Sequence, residues 1–221
     1  KNSEASLTIA DFLTRLNRWD AEHYLMIARQ GYATTGFGQK QIVFLPLFPL
    51  VMKGLSLAAH LPLERAGIAF NTLLAPVLSI GLYKLARLDY SAKRASAAVL
   101  LLVTFPVGFF FAVGYTETLY LTLVVYAFLF ARLCRWWDAG ICVFFAGLTK
   151  TSGYFLFPAM LYEYYLYQKK EGVAWRWNAL TLLAPVLALA IYLGINQYLY
   201  ADPFKFLFYQ RTEWHRQVVP F

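Results

Sequence analysis

Apolar residues fall in long runs separated by short polar connections, at about 42 to 60, 65 to 86, 95 to 113, 116 to 133, 138 to 149, 152 to 167 and 178 to 200. A helix needs roughly 20 residues to span a bilayer, so most of these runs predict membrane spans. Two differ. The first carries Pro46, Pro49 and Lys53 and reads as a re-entrant or interfacial element; the fifth is short and needs Trp136 and Trp137 at the headgroup boundary. Residues 1 to 41 are mixed and polar, with an amphipathic Leu7 to Leu16 piece suited to the interface and no visible signal peptide. The pattern predicts an all-α, polytopic membrane helical bundle. Its parts are a 1–64 extracytoplasmic or interfacial segment with two short helices, six spans within 65–200, and an extracytoplasmic tail at 201–221.

Composition agrees, with 60% hydrophobic and only 14% charged residues, against about 25% charged in an average soluble domain. The formal charge of +8 would suggest nucleic acid in a soluble protein. Here the basic residues cluster between apolar runs, which makes them topology signals and excludes a nucleic-acid partner. Lys84, Arg87, Lys93 and Arg94 share one connection, Arg132 and Arg135 a second, and Lys169, Lys170 and Arg176 a third, whereas the alternate connections hold only Arg65 and Lys150. The basic loops are expected to be cytoplasmic. The segment around Asp20, Tyr115-Thr116-Glu117, Lys150-Thr151-Ser152-Gly153 and the tail from Asp202 then emerge together on the opposite face, provided that 42 to 60 does not cross. Cys134 and Cys142 read as membrane-buried thiols.

The candidate chemistry begins at Arg18-Trp19-Asp20-Ala21-Glu22-His23-Tyr24, ahead of the membrane-grade runs. At helical spacing Asp20, Tyr24, Ile27 and Gly31 share a face with His23 beside them, which presents an acid and aromatic rings suited to a sugar or phosphate. Trp19-Asp20 with Tyr24, Ile27-Ala28 and Gly31-Tyr32, followed by Phe44-Leu45-Pro46-Leu47-Phe48-Pro49, resembles the PIG-V family of mannosyltransferases, members of the GT-C membrane glycosyltransferases. Gly114-Tyr115-Thr116-Glu117, Leu148-Thr149-Lys150-Thr151-Ser152-Gly153, and Asp202-Pro203 through Gln210, Trp214 and Arg216 extend the likeness over nearly the whole chain. Lys150 stands where the family usually has Arg. The resemblance also leads one to expect a helix before the Trp-Asp motif and others beyond Arg216.

The resemblance implies a GT-C type bundle that transfers a sugar, with mannose expected, from a polyprenyl-phosphate donor to an extracytoplasmic or luminal glycan or glycolipid acceptor, with inversion. An inverting transfer needs a base, and Asp20 is the catalytic candidate. Glu22, His23, Tyr24, Tyr115, Glu117, Lys150, Gln210, Trp214 and Arg216 are the substrate-binding candidates. Lys150, Arg216 and Arg211 are the available cations for a leaving phosphate. No nucleotide fingerprint is present, and no cofactor is called for.

Each residue also has a structural reading. Asp20 suits an N-cap, Glu117 a helix N-terminal charge, and Lys150 or either arginine a snorkelling cation. A metal set of Glu22, His23 and His215 matches no standard spacing. The alternatives in function are a transporter or lipid flippase, for which the expected intramembrane charges and inverted repeat are lacking, and an inactive accessory subunit.

Overall fold

The computed structural model describes residues 18–213. The expected Leu7 to Leu16 piece and Trp214, His215 and Arg216 lie outside the described residues. Among these residues the chain is helical without a strand: α1 (Asp20–Gln30), α2 (Leu47–Ala59), α3 (Leu63–Arg87), α4 (Ala92–Thr104), α5 (Glu117–Arg132), α6 (Trp136–Thr149), α7 (Leu156–Glu171), α8 (Ala184–Tyr200) and α9 (Lys205–Thr212). Four 3₁₀ stretches, Gly36–Val43, Gly108–Phe111, Thr151–Phe155 and Trp177–Leu183, join them.

The first apolar run does not form a straight span. Gly36–Val43 and α2 meet at 106°, as the prolines predict: Phe44 is extended, and Pro46 opens α2. Among the described residues two stretches are long and apolar enough to cross a membrane, Leu63–Arg87 and Trp177–Tyr200, and the bent pair would count as a third only if it formed one span. The helices between them are shorter than the apolar runs. The 95 to 113 run becomes the 13-residue α4, because Pro106 holds Phe105 at ψ 142° and the chain turns into the 3₁₀ segment at Gly108. Apolar character continues through this break, so hydropathy alone overstates the helix.

Small residues let the helices approach one another. A Cβ on Gly140 would stand 2.6 Å from Thr181 Cβ, and one on Gly147 would stand 2.8 Å from Ala188 Cβ, which brings α6 close to the Trp177–Leu183 stretch and α8. Ala127, Ala131, Trp136, Ala139, Val143, Met160 and Tyr164 form the core between α5, α6 and α7. A second core of Tyr24, Leu25, Ile27, Phe44, Phe48 and Met52 packs α1 and α2 against Leu119 of α5.

The two ends of this bundle differ in charge. Arg132 donates two hydrogen bonds to the Asp89 carboxylate, at 2.7 and 3.1 Å, tying the first basic connection to the second. Arg132 and Cys134 share a cavity with Lys169 and Lys170 of the third. At the other end of α3, some 37 Å away for 25 helical residues, Glu64 pairs with Arg29 of α1. The polar segments singled out in the sequence collect at this second end.

Asn71, fully buried within α3, fixes the connection before α5 by donating to the carbonyls of Val113 and Tyr115. Asn71→Leu keeps the volume but removes the side-chain donor from both carbonyls, of which Val113 keeps the Tyr115 N–H at 2.8 Å, a loss on the order of 1–3 kcal/mol. Thermal unfolding in detergent should register it as a clear drop in melting temperature; an unchanged midpoint would remove Asn71 as the anchor.

Candidate functional site

The site is built at the N-terminus of α1. Asp20 is the first helical residue, exposed, with Trp19 in the cap position at φ 53° and no side-chain capping bond there. A bulky residue at positive φ costs about 1–3 kcal/mol and persists only where its surroundings hold it. Here the Tyr115 hydroxyl donates to the Arg18 carbonyl at 2.9 Å, and Ala21 N–H bonds to the same carbonyl. The capping role for Asp20 is therefore not the one adopted.

Asp20 and Tyr24 of α1, Phe44 at the bend, Glu117 at the start of α5, Lys150 after α6 and Gln210 of α9 line one cavity of about 320 Å³. Four segments, separated by as many as 190 residues, thus bring five of the predicted residues together. A larger cavity of about 630 Å³ lies at the basic end, but its lining contains no residue of the sequence motifs.

Local structure explains how each side chain arrives there. Tyr24 is buried against Phe44 and Phe48, edge to face, with its hydroxyl beside the Thr116 side chain. Burial pushes the Tyr24 phenol well above its usual range, so it acts as a neutral group. Glu117 sits in the first turn of α5, where the helix dipole favours a carboxylate. Lys150 Nζ donates to Glu117 Oε1 at 2.8 Å. The lysine is positioned by an abrupt change of direction: α6 ends, Lys150 is extended, and the Thr151–Phe155 turn folds back. Gly153 permits that return, since a Cβ there would lie 2.5 Å from the Ala146 carbonyl oxygen. Gln210 is carried by α9, which is held to the Gly36–Val43 stretch by Tyr209 Oη donating to Gln39 at 2.6 Å and by the Lys40–Glu213 pair at 3.3 Å.

Other predicted residues stand outside the cavity wall. Tyr115 supports the Arg18 turn from behind, and Glu22 is exposed on the same helix. Arg211 is exposed on α9 and is not part of the lining. His23 stacks on Phe44 with ring centroids 4.7 Å apart and 22° between planes. Sequence reasoning did not single out Asn71, which positions the Glu117 segment. A buried asparagine in a membrane-grade helix was the available signal for it.

Desolvation lowers the His23 pKa from 6.5, with Lys40 acting in the same direction and Asp20 and Glu22 opposing. The folded state therefore disfavours imidazolium, and the unfolded chain takes up the proton first. The associated stability is present above about pH 6.5 and is lost as pH falls through the lowered folded value. His23→Phe keeps a stacking ring without a titrating group. It should flatten the decline in melting temperature between pH 7 and pH 5, and an identical decline in both proteins would show that His23 is not its source.

The sequence profile of the family described as Mannosyltransferase (PIG-V) matches residues 2–154, which include Asp20, Glu117 and Lys150. GPI alpha-1,6-mannosyltransferase 2 of Rattus norvegicus is 30% identical over 148 residues, covering 62% of this chain and 29% of that protein. The proteins of the same name from Mus musculus and Homo sapiens are 28% and 29% identical, covering 69% and 66% of this chain and 32% and 31% of theirs. The chain spans about a third of the length of these curated relatives. No solved structure matches it. With the family profile covering well over half of its residues, the chain belongs to the PIG-V family of mannosyltransferases.

Proposed function

We propose that the Asp20 cavity is the transfer site of an integral membrane mannosyltransferase that takes mannose from a polyprenyl phosphate and delivers it, with inversion, to an extracytoplasmic or luminal acceptor. The observation that carries this reading is the meeting of Asp20, Glu117, Lys150 and Gln210 in one cavity of about 320 Å³, near the lower end of small-ligand sites at about 300–1,000 Å³. The relatives' names refer to GPI, and on that basis the acceptor is a glycolipid of the same class.

In this mechanism the Asp20 carboxylate takes the proton of the acceptor hydroxyl while that oxygen attacks the anomeric carbon. The bond from that carbon to the phosphate oxygen breaks with its electron pair, and polyprenyl phosphate departs. Lys150 stabilises the charge that grows on the departing oxygen. Tyr24, kept neutral by burial, supplies a wall against the ring face. The polar groups stand at one end of the bundle, which suits transfer at an interface better than passage through the bilayer, where a transporter places its charges.

Transfer from a short-chain polyprenyl-phosphate mannose, measured in nanodiscs, tests the reading. Asp20→Asn should reduce turnover by about 10²-fold or more with unchanged melting temperature. Lys150→Met should lower kcat by about 10²-fold with a smaller effect on KM, and Lys150→Arg should retain most of the rate because the cation is kept. Near-normal turnover of both neutral variants would sink the assignment.

The same reading sets the sidedness. Single cysteines placed at residues 88 to 93 should react with an impermeant maleimide only from the side opposite to cysteines at residues 20 to 30. Labelling of both from one side would overturn the extracytoplasmic placement of the site.

A further inference from the structure

The cavity holds two carboxylates, and the mechanism above employs one. Glu117 Oε1 accepts from Lys150 at 2.8 Å, whereas Glu117 Oε2 is buried and has no hydrogen-bond partner. An ionised carboxylate oxygen can only accept, and leaving such an atom buried without a donor is costly. Thr149 Oγ1, in the same cavity wall, donates to the Phe145 carbonyl. Glu117 lines the cavity, so a ligand hydroxyl seated there is placed to donate to its carboxylate.

We infer that Glu117 is a specificity-determining residue that reads the C2 hydroxyl of the donor sugar through Oε2, an inference that rests on the glycosyl-transfer reading. Lys150 is the cationic side chain lining the cavity among the described residues, so it marks where the donor phosphate sits. That phosphate is carried on C1. The hydroxyl on the carbon next to C1 is the one nearest to the phosphate, and Glu117 is the group nearest to Lys150. Ordinary carbohydrate connectivity thus pairs Glu117 with C2.

The position of Oε2 is fixed twice over, by the Lys150 contact on the other carboxylate oxygen and by the helix turn that carries the residue. An acceptor held in one place meets an axial C2 hydroxyl or an equatorial one, not both equally. Mannose and glucose differ only in that orientation. A fixed Glu117 oxygen provides a physical means of choosing between them, independent of the base that performs the transfer.

The test measures binding, because changes at C2 also alter the reactivity of C1. Full-length protein carrying Asp20→Asn in nanodiscs is titrated with short-chain polyprenyl phosphates bearing mannose, glucose, 2-deoxymannose or 6-deoxymannose. The two C2 changes should weaken binding by about 10-fold or more, and the C6 change by less than about threefold. Adding Glu117→Gln keeps the size, and its amide oxygen can still accept from Lys150, but it replaces the second acceptor by a donor. Discrimination at C2 should collapse to under about threefold, while the C6 comparison stays as it was. Glu117→Asp, which retains the charge but withdraws the oxygen by one methylene, should also lose C2 discrimination, and unchanged melting temperatures would show that both variants fold.

Equal weakening of all four ligands by either substitution, or full C2 discrimination surviving both, overturns the inference. If the Asp20-intact protein transfers mannose while the Glu117 variants still discriminate at C2, this inference fails alone. If neither transfer nor donor binding is found, the glycosyl-transfer reading fails and this inference falls with it.

Discussion

The structure depends on satisfying the backbone of irregular segments in a molecule that offers little water. A helix bonds its own amides throughout, but the bend at 33 to 45 and the connection at 105 to 116 do so only in part, through their 3₁₀ turns. Neighbouring side chains supply further donors. Tyr192 donates to the Ile42 carbonyl at 2.6 Å, Tyr32 to Phe44 at 2.6 Å and Tyr200 to Ala33 at 2.7 Å. Asn71 performs the same service for Val113 and Tyr115. A tyrosine suits this work because its ring packs with apolar neighbours while only the tip must be satisfied.

These bonds also position the chemistry. Phe44, held by Tyr32, stacks on His23 and meets Tyr24 in a T-shaped contact, so the backbone clamp is transmitted to the helix bearing Asp20. Tyr115, held at its carbonyl by Asn71, uses its own hydroxyl to hold the Arg18 turn. Two residues later the chain places Glu117 in the cavity. The same short connection thus orients one carboxylate directly and the other through the Arg18 turn, a coupling that neither helix could provide alone.

Much of this was legible in the sequence, for definite reasons. Prolines at 46 and 49 interrupt an otherwise membrane-grade run, and the structure bends there; the motif residues Asp20, Tyr24, Glu117, Lys150 and Gln210 were expected on one face and line one cavity. The helix lengths were less legible, because hydropathy records solvent preference and is blind to the dihedral restriction that Pro106 places on Phe105. His23 and Tyr115 were recognised as belonging to the region but not as supports, since a sequence does not distinguish a ring facing a cavity from one stacked behind its wall. Asn71 was overlooked because a single amide scarcely changes the hydropathy of a 25-residue helix, although its structural effect is large.

The electrostatic arrangement bears on how a site rich in carboxylates can serve an anionic leaving group. Lys150 is already partnered by Glu117 at 2.8 Å, and both side chains remain partly open to solvent. A cation in such a pair attracts a resting phosphate diester less than a bare cation would, because the neighbouring carboxylate repels it. As the bond to the sugar lengthens in the proposed reaction, negative charge concentrates on the departing oxygen and the attraction to Lys150 increases, while the proton taken up by Asp20 removes one negative charge from the cavity. The balance between attraction and repulsion therefore shifts along the reaction coordinate. An interaction that strengthens in this way contributes more to the rate than to ground-state affinity, which is the useful place for it in an enzyme.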